Sequence, residues 1–192
     1  MNNNPYPEQA ALAMGYLLTS SGVPCIYYGT EQGFDGGGDH DKYVRECMFG
    51  GKWGAFDTTG AHFFNPKNQI YRAIQKIANI RANEPALRYG RQYFREISGD
   101  GLSFEHPVDT GGHFTLAFSR ILDTEEVLVA LNLDAAPRQD AINVDINLTP
   151  SGSSMIDLLN GGPAIEVEDS NRRAYVRVPL KAHQMAILKR QI

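Results

Sequence analysis

The stretch GVPCIYYGTEQGF, residues 22–34, constrains the fold more than any other part of the chain. From Val23 to Tyr28 it shows no polar–apolar alternation. That is the pattern of a strand covered on both faces, as in a parallel sheet between helices. Pro24 is compatible because it stands at the strand's beginning, and Cys25 is expected to be a buried thiol. Such a strand needs neighbours for its backbone N–H and C=O groups. No second run of this kind occurs in the sequence. The expectation is therefore one buried strand whose sheet is missing from this chain.

Around that strand the sequence predicts two helices. The first covers Glu8–Ser20, with Pro7 suited to the opening position, Leu12, Tyr16 and Leu17 on one face, and Ala10, Ala11 and Ala13 favouring the helix. The second is opened by Asn65 as cap and Pro66, carries Ile70, Ala73, Ile74, Ile77 and Ala78 as one stripe, and stops before Pro85. Between them, residues 29–64 read as a long loop rich in glycine, acids and aromatics. Loops of that length are commonly functional, and its many aromatic residues argue for order.

Beyond residue 88 the period changes to two. Candidate strands are Arg91–Ile97, Leu102–Pro107, His113–Ile121, Glu125–Asn132, Ala141–Ile146, Ser153–Asp157, Arg173–Pro179 and Gln184–Lys189. Turn signals such as SGDG, DTGG and LLNGGP separate them. Phe114, Leu116 and Phe118 alternate, as do Val127, Val129 and Leu131. Regularly spaced strands of this kind indicate an antiparallel Greek-key sandwich or barrel. The fold class is thus α+β, with a helix-and-strand portion over residues 1–88 and an all-β portion over 89–192.

Composition narrows the function classes. A net charge of −4 over 192 residues, with Lys and Arg scattered, gives no reason to expect nucleic acid or an anionic membrane as partner. Cys25 and Cys47 are too few for a disulfide framework and lack metal-ligand spacing. No segment is long and apolar enough to span a bilayer. The first residues lack the basic start of a signal peptide, which argues against secretion only if Met1 is the natural beginning.

The segment SSGVPCIYYGTEQGFDGGGDHDKYVRE resembles the end of the (β/α)8 barrel of α-amylase-family glycoside hydrolases. The family pattern of the eighth strand is met by Gly22, Pro24, Ile26, Tyr27, Tyr28, Gly29 and Glu31, and the downstream Arg45 and Glu46 also fit. IYRAIQKIANIRANEPAL is similar to the family's last barrel helix, and the strand-rich tail to its C-terminal β-sandwich. The resemblance implies a C-terminal part of an enzyme that hydrolyses α-1,4-glucosidic bonds with retention. Retention needs two carboxylates across the scissile bond. In the family these follow barrel strands upstream of the position matched by Gly22, so the resemblance implies no catalytic residue within this chain. A complete barrel takes about 250 residues. This chain by itself is expected to be inactive.

The same resemblance marks candidate substrate-binding residues. Asp41 and Arg45 match a family segment in which an Asp and an Arg four residues later hydrogen-bond sugar hydroxyls, groups that both donate and accept. The alternative is a surface ion pair at helical spacing. Glu31 stands just past the end of the strand, where barrel active-site residues stand, or else it is a structural acid of the loop. Trp53 is a candidate for stacking on a sugar ring. Tyr27 and Tyr28 are read as barrel lining or core. Asp35, Asp39 and Asp41 lack the order of a calcium loop, so neither metal nor cofactor is implied. The implied partners are an α-glucan or maltooligosaccharide, together with the missing barrel portion or a second copy pairing the orphan strand. The competing function is a stand-alone sandwich that binds carbohydrate or protein, for which exposed aromatics on one sandwich face would speak.

Overall fold

The computed structural model describes residues 7–34, 40, 41, 45, 48, 64–107 and 114–191. Helix α1 (Pro7–Thr19) begins on Pro7, whose missing N–H costs nothing in a first turn, and places Glu8 against the positive end of the helix dipole. Residues 23–27 then adopt no regular structure and pair with no strand among the described residues. Val23 is 95% exposed, Tyr27 55% and Tyr28 45%, and the Cys25 thiol is exposed as well. The expected buried strand, buried thiol and tyrosine core are corrected accordingly. Among the described residues no neighbouring strand covers the segment, so its apolar side chains meet solvent.

Helix α2 (Gln69–Asn83) buries Ile70 and Ile77 on the anticipated stripe. Its cap differs from the expectation. The Asn68 carboxamide oxygen accepts the Ile70 and Tyr71 amides at 2.8 and 3.4 Å, whereas Asn65 closes a turn onto the Lys67 amide at 2.9 Å. Pro66 belongs to that turn. Pro85 opens a further short helix, α3 (Pro85–Tyr89).

Among the described residues ten strands follow: β1 (Arg91–Phe94), β2 (Ile97–Ser98), β3 (Thr115–Leu122), β4 (Glu125–Asn132), β5 (Arg138–Val144), β6 (Ser154–Asp157), β7 (Ile165–Glu166), β8 (Glu168–Ser170), β9 (Arg173–Leu180) and β10 (Met185–Arg190). They form a six-stranded sheet in the order β1-β3-β4-β10-β6-β7 and a four-stranded sheet in the order β2-β5-β9-β8, with antiparallel pairing throughout. After β4 the chain crosses to the smaller sheet for β5, returns for β6 and β7, crosses again for β8 and β9, and returns for β10. The β4–β10 ladder of one sheet therefore packs against the β5–β9 ladder of the other. The expected strand over residues 91–97 divides between the two sheets, and that over 102–107 contracts to one bridge between Ile97 and Glu105.

Two compact units are present, one comprising Met1–Leu17 and Pro24–Lys76, the other Leu18–Val23 and Ile77–Ile192. In the second, the sandwich core joins Ala117, Leu128, Ala130 and Leu188 of the larger sheet to Ile142, Val176 and Val178 of the smaller. The opposite face of the larger sheet is buried too. Phe118, Val127, Val129, Leu131 and Ile187 are at most 1% exposed, and α3 packs on β3 and β4 with Ala86 and Leu87 at 0%. Of the alternating residues, Phe118, Val127, Val129 and Leu131 are therefore buried on the face away from the sandwich core, whereas Leu116 is half-buried and Phe114 packs against the sandwich core.

On the sandwich side of β4 lies a fully buried carboxylate. Glu126 accepts Arg95 Nη2 at 2.7 Å, the Ser119 hydroxyl at 2.5 Å and the Thr149 hydroxyl at 2.7 Å. The Asp145 amide adds contacts at 3.2 and 3.1 Å. Every lone pair of this buried charge has a donor, which is the condition for tolerating it. Replacing Glu126 by Ala strands Arg95 and three neutral donors, and is expected to cost about 3–5 kcal/mol in a urea unfolding experiment.

A second carboxylate organises the turn after β2. Asp100 Oδ1 accepts the Ser98 hydroxyl at 2.7 Å and the Leu102 and Ser103 amides at 2.8 and 3.0 Å. The Ser103 and Leu102 amides, then the Ser98 hydroxyl, lower its pKa to about 2. A depressed carboxylate stabilises the fold above its unfolded pKa of about 3.9 and ceases to do so as pH falls through the folded value. Amide exchange at Leu102 and Ser103 is therefore expected to lose protection between about pH 4 and about pH 2, and Asp100→Asn to abolish that pH dependence.

Candidate functional site

The loop after residues 23–27 is built from its own backbone. Thr30–Gln32 form one turn of 3-10 helix between Gly29 and Gly33, whose φ values are 85° and 77°. Gly29 also takes the Gln32 and Phe34 amides on its carbonyl at 2.9 and 3.1 Å. A Cβ on Gly29 would lie 2.5 Å from the Phe34 ring, so both the left-handed backbone and the close approach require glycine there. Glu31 sits in this turn, half-buried.

Next to it, Gln32 is 0% exposed. Its Oε1 accepts the Asn65 amide at 2.7 Å, and its main-chain carbonyl accepts Asn68 Nδ2 at 3.0 Å. Asn68 thus caps α2 with one end of its carboxamide and holds the loop with the other. Among the described residues, Gln32 Nε2 is buried without a hydrogen-bond partner. Neither Gln32 nor Asn68 was marked by the sequence; the only signal available was that an Asn three residues after Asn65 could also serve as a cap.

Asp41 and Arg45 are both exposed, and the Arg45 amide donates to the Asp41 carbonyl at 2.7 Å. In a helix, residues at this i, i+4 spacing are neighbours on one face. Among the described residues no ion pair joins the two side chains, and no contact joins either to Glu31. Trp53 lies outside the described residues, as do Asp35, Asp39, Glu46 and Cys47. No group of three metal-ligating side chains occurs among the described residues. A cavity of about 450 Å³ lies on the sandwich, lined by Phe94, Arg95, His106, Pro107, Leu116 and Ala117, and contains none of the candidate residues.

No family model matches the sequence. Curated relatives do. A cyclomaltodextrin glucanotransferase of Bacillus sp. (strain 17-1) is 31% identical over 172 residues, covering 85% of this chain and 22% of the relative. That of Geobacillus stearothermophilus is 39% identical over 99 residues, 52% of this chain and 12% of the relative. Among solved structures, α-amylase from Geobacillus thermoleovorans, complexed with acarbose, superposes with a TM-score of 0.63 over 97% of this chain and 34% of that one. At 18% identity that likeness speaks for the fold alone. The chain spans no more than about a fifth of the length of these curated relatives.

The class defined by this architecture is a barrel-end segment followed by an antiparallel sandwich. The chain belongs to the α-amylase family of glycoside hydrolases, with a segment that corresponds to the end of the catalytic barrel and the C-terminal β-sandwich.

Asn68 is the residue on which the loop's placement can be tested. Asn68→Ala removes the cap and the grip on the Gln32 carbonyl together. It is expected to lower stability by about 1 kcal/mol and to speed amide exchange at Gln32 and Phe34 relative to β4.

Proposed function

We propose that the chain is the glucan-contacting C-terminal part of an α-amylase-type glycoside hydrolase, which cleaves α-1,4-glucosidic bonds with retention when complete. In this reading residues 1–88 supply the barrel end and residues 89–192 the sandwich. The two catalytic carboxylates come from barrel segments that this chain does not contribute. Asp41 and Arg45 hydrogen-bond sugar hydroxyls, with the carboxylate accepting and the guanidinium donating. Glu31 and Trp53 add a polar and a stacking contact. The observation that supports the reading is the 2.7 Å bond from the Arg45 amide to the Asp41 carbonyl, with both residues exposed.

The partners in this proposal are an α-glucan or maltooligosaccharide and the rest of the barrel. In its absence, a second copy can take the exposed edge of residues 23–27. A stand-alone binding module is the alternative, and it is favoured by the 53% exposure of Phe94, which lines the 450 Å³ cavity.

Starch and maltooligosaccharide hydrolysis, together with calorimetric titration of the same sugars, separates the two. The expected result is no turnover by the 192-residue chain, measurable binding, and affinity reduced about tenfold by Asp41→Ala or Arg45→Ala. Turnover would overturn the assignment of catalysis to other segments. Binding lost in Phe94→Ala and kept in both loop variants would support the stand-alone module.

A further inference from the structure

Two arginines make an arrangement that neither the family membership nor the proposed sugar contact accounts for. Arg120, on the helix-covered face of β3, is 1% exposed. Its Nη1 donates to the Thr19 carbonyl at 2.6 Å, and its Nε and Nη2 donate to the Gly90 carbonyl at 3.3 and 2.8 Å. Arg81, from α2, donates through Nη1 to the Leu18 and Leu87 carbonyls, both at 2.7 Å, and through Nη2 to the Gly22 carbonyl at 3.3 Å. Among the described residues neither guanidinium meets a carboxylate.

The ligands are main-chain oxygens at the ends of α1 and α3. The last carbonyls of a helix have no intrahelical donor and carry the negative end of its dipole. Helix α1 has no basic residue in its own last turn, so its cations arrive from α2 and from β3, 63 and 101 residues along the chain. Gly90 makes the close approach possible, because a Cβ there would lie 2.5 Å from the Ala86 oxygen and 2.9 Å from the Ile121 oxygen. Both arginines have lowered pKa values: burial comes first in each case, followed by Arg88 for Arg81 and by Arg81 for Arg120. No acid offsets these effects, which agrees with ligation by carbonyls alone.

We infer that Arg81 and Arg120 are positioning residues: together they fix the exit of the chain from α1, Leu18 to Gly22, on the larger sheet. The segment that carries Gly29 and Glu31 begins at that exit. A planar guanidinium with five donors in a fixed fork can ligate several carbonyls at once, whereas an ammonium is a point charge. Charge alone therefore does not suffice, and lysine does not substitute for either arginine.

Amide hydrogen exchange on the intact chain tests this independently of any sugar. The Ser21 amide, which donates to Gln92 Oε1 at 2.6 Å, reports on the exit. Val127–Leu131 amides report on the sandwich. Expected in Arg81→Lys and Arg81→Met alike is at least about tenfold faster exchange at Ser21, equivalent to about 1.4 kcal/mol, with Val127–Leu131 unchanged. Arg120→Lys and Arg120→Met should do the same if they fold. The Arg81 variants, at a half-buried site, keep the test open if they do not. Wild-type protection at Ser21 in both lysine variants, or an equal loss at Ser21 and Val127–Leu131, would overturn the inference. The first outcome would mean that charge is enough. The second would mean that the arginines only stabilise the sandwich as a whole.

Discussion

Burial of β3, β4 and β10 on both faces is the constraint on which the sandwich unit depends. One face meets the four-stranded sheet, and on the other α3 packs over β3 and β4. A strand so enclosed has no solvent for its polar residues, and each one present has a specific partner set. On the sandwich side Thr115 donates to Asp140 at 2.6 Å, and Glu126 gathers Arg95, Ser119 and Thr149. On the helix side Arg120 spends its donors on carbonyls, and Lys189 reaches Glu84 at 2.8 Å. These contacts are worth most as constraints. Removing one partner leaves the other buried and unpaired, which costs more than the intact pair contributes.

The helix side also shows how a short helix and a sheet are locked together without an ion pair at the centre. Glu84 precedes α3 and takes Lys189 from β10 at one end, while Gly90 follows α3 and takes Arg120 from β3 at the other. The five residues between them, Pro85 to Tyr89, are too few to form a stable helix alone. Ala86 and Leu87 are wholly buried on the sheet. Tertiary burial and the two end contacts therefore hold α3, and local propensity contributes little.

Legibility in the sequence followed the same physics. Helix α1 and strand β4 were readable because apolar spacing and end signals agree there, with Pro7 at one start and the turn of Asp123 and Thr124 before the other. Strands β7 and β8 were not. Ile165–Glu166 and Glu168–Ser170 have no apolar alternation and exist by pairing with β6 and β9. The alternation of Val127, Val129 and Leu131 was legible as burial, but nothing local distinguishes a face covered by a sheet from one covered by a helix. Arg120 stood in phase with Phe118 and could have been read as a cation facing inward. The Asp41–Arg45 spacing was legible as one turn, whereas the role of Gln32 depends on contacts 33 and 36 residues away.

The apolar segment and the loop after it make opposite demands on their surroundings. Residues 23–27 have the composition of a strand covered on both sides, yet Val23, Cys25 and Tyr27 are exposed, Pro24 and Ile26 are only half-buried, and the backbone pairs with no strand among the described residues. Such a segment gains its burial only when other strands lie alongside it. The Gly29–Phe34 loop closes instead on its own carbonyls, on two left-handed glycines and on the carboxamide of Asn68. Glu31 is held by that local closure whether or not residues 23–27 are paired. The closure fixes the backbone at Glu31, so the turn that carries it keeps its shape without help from a neighbouring strand.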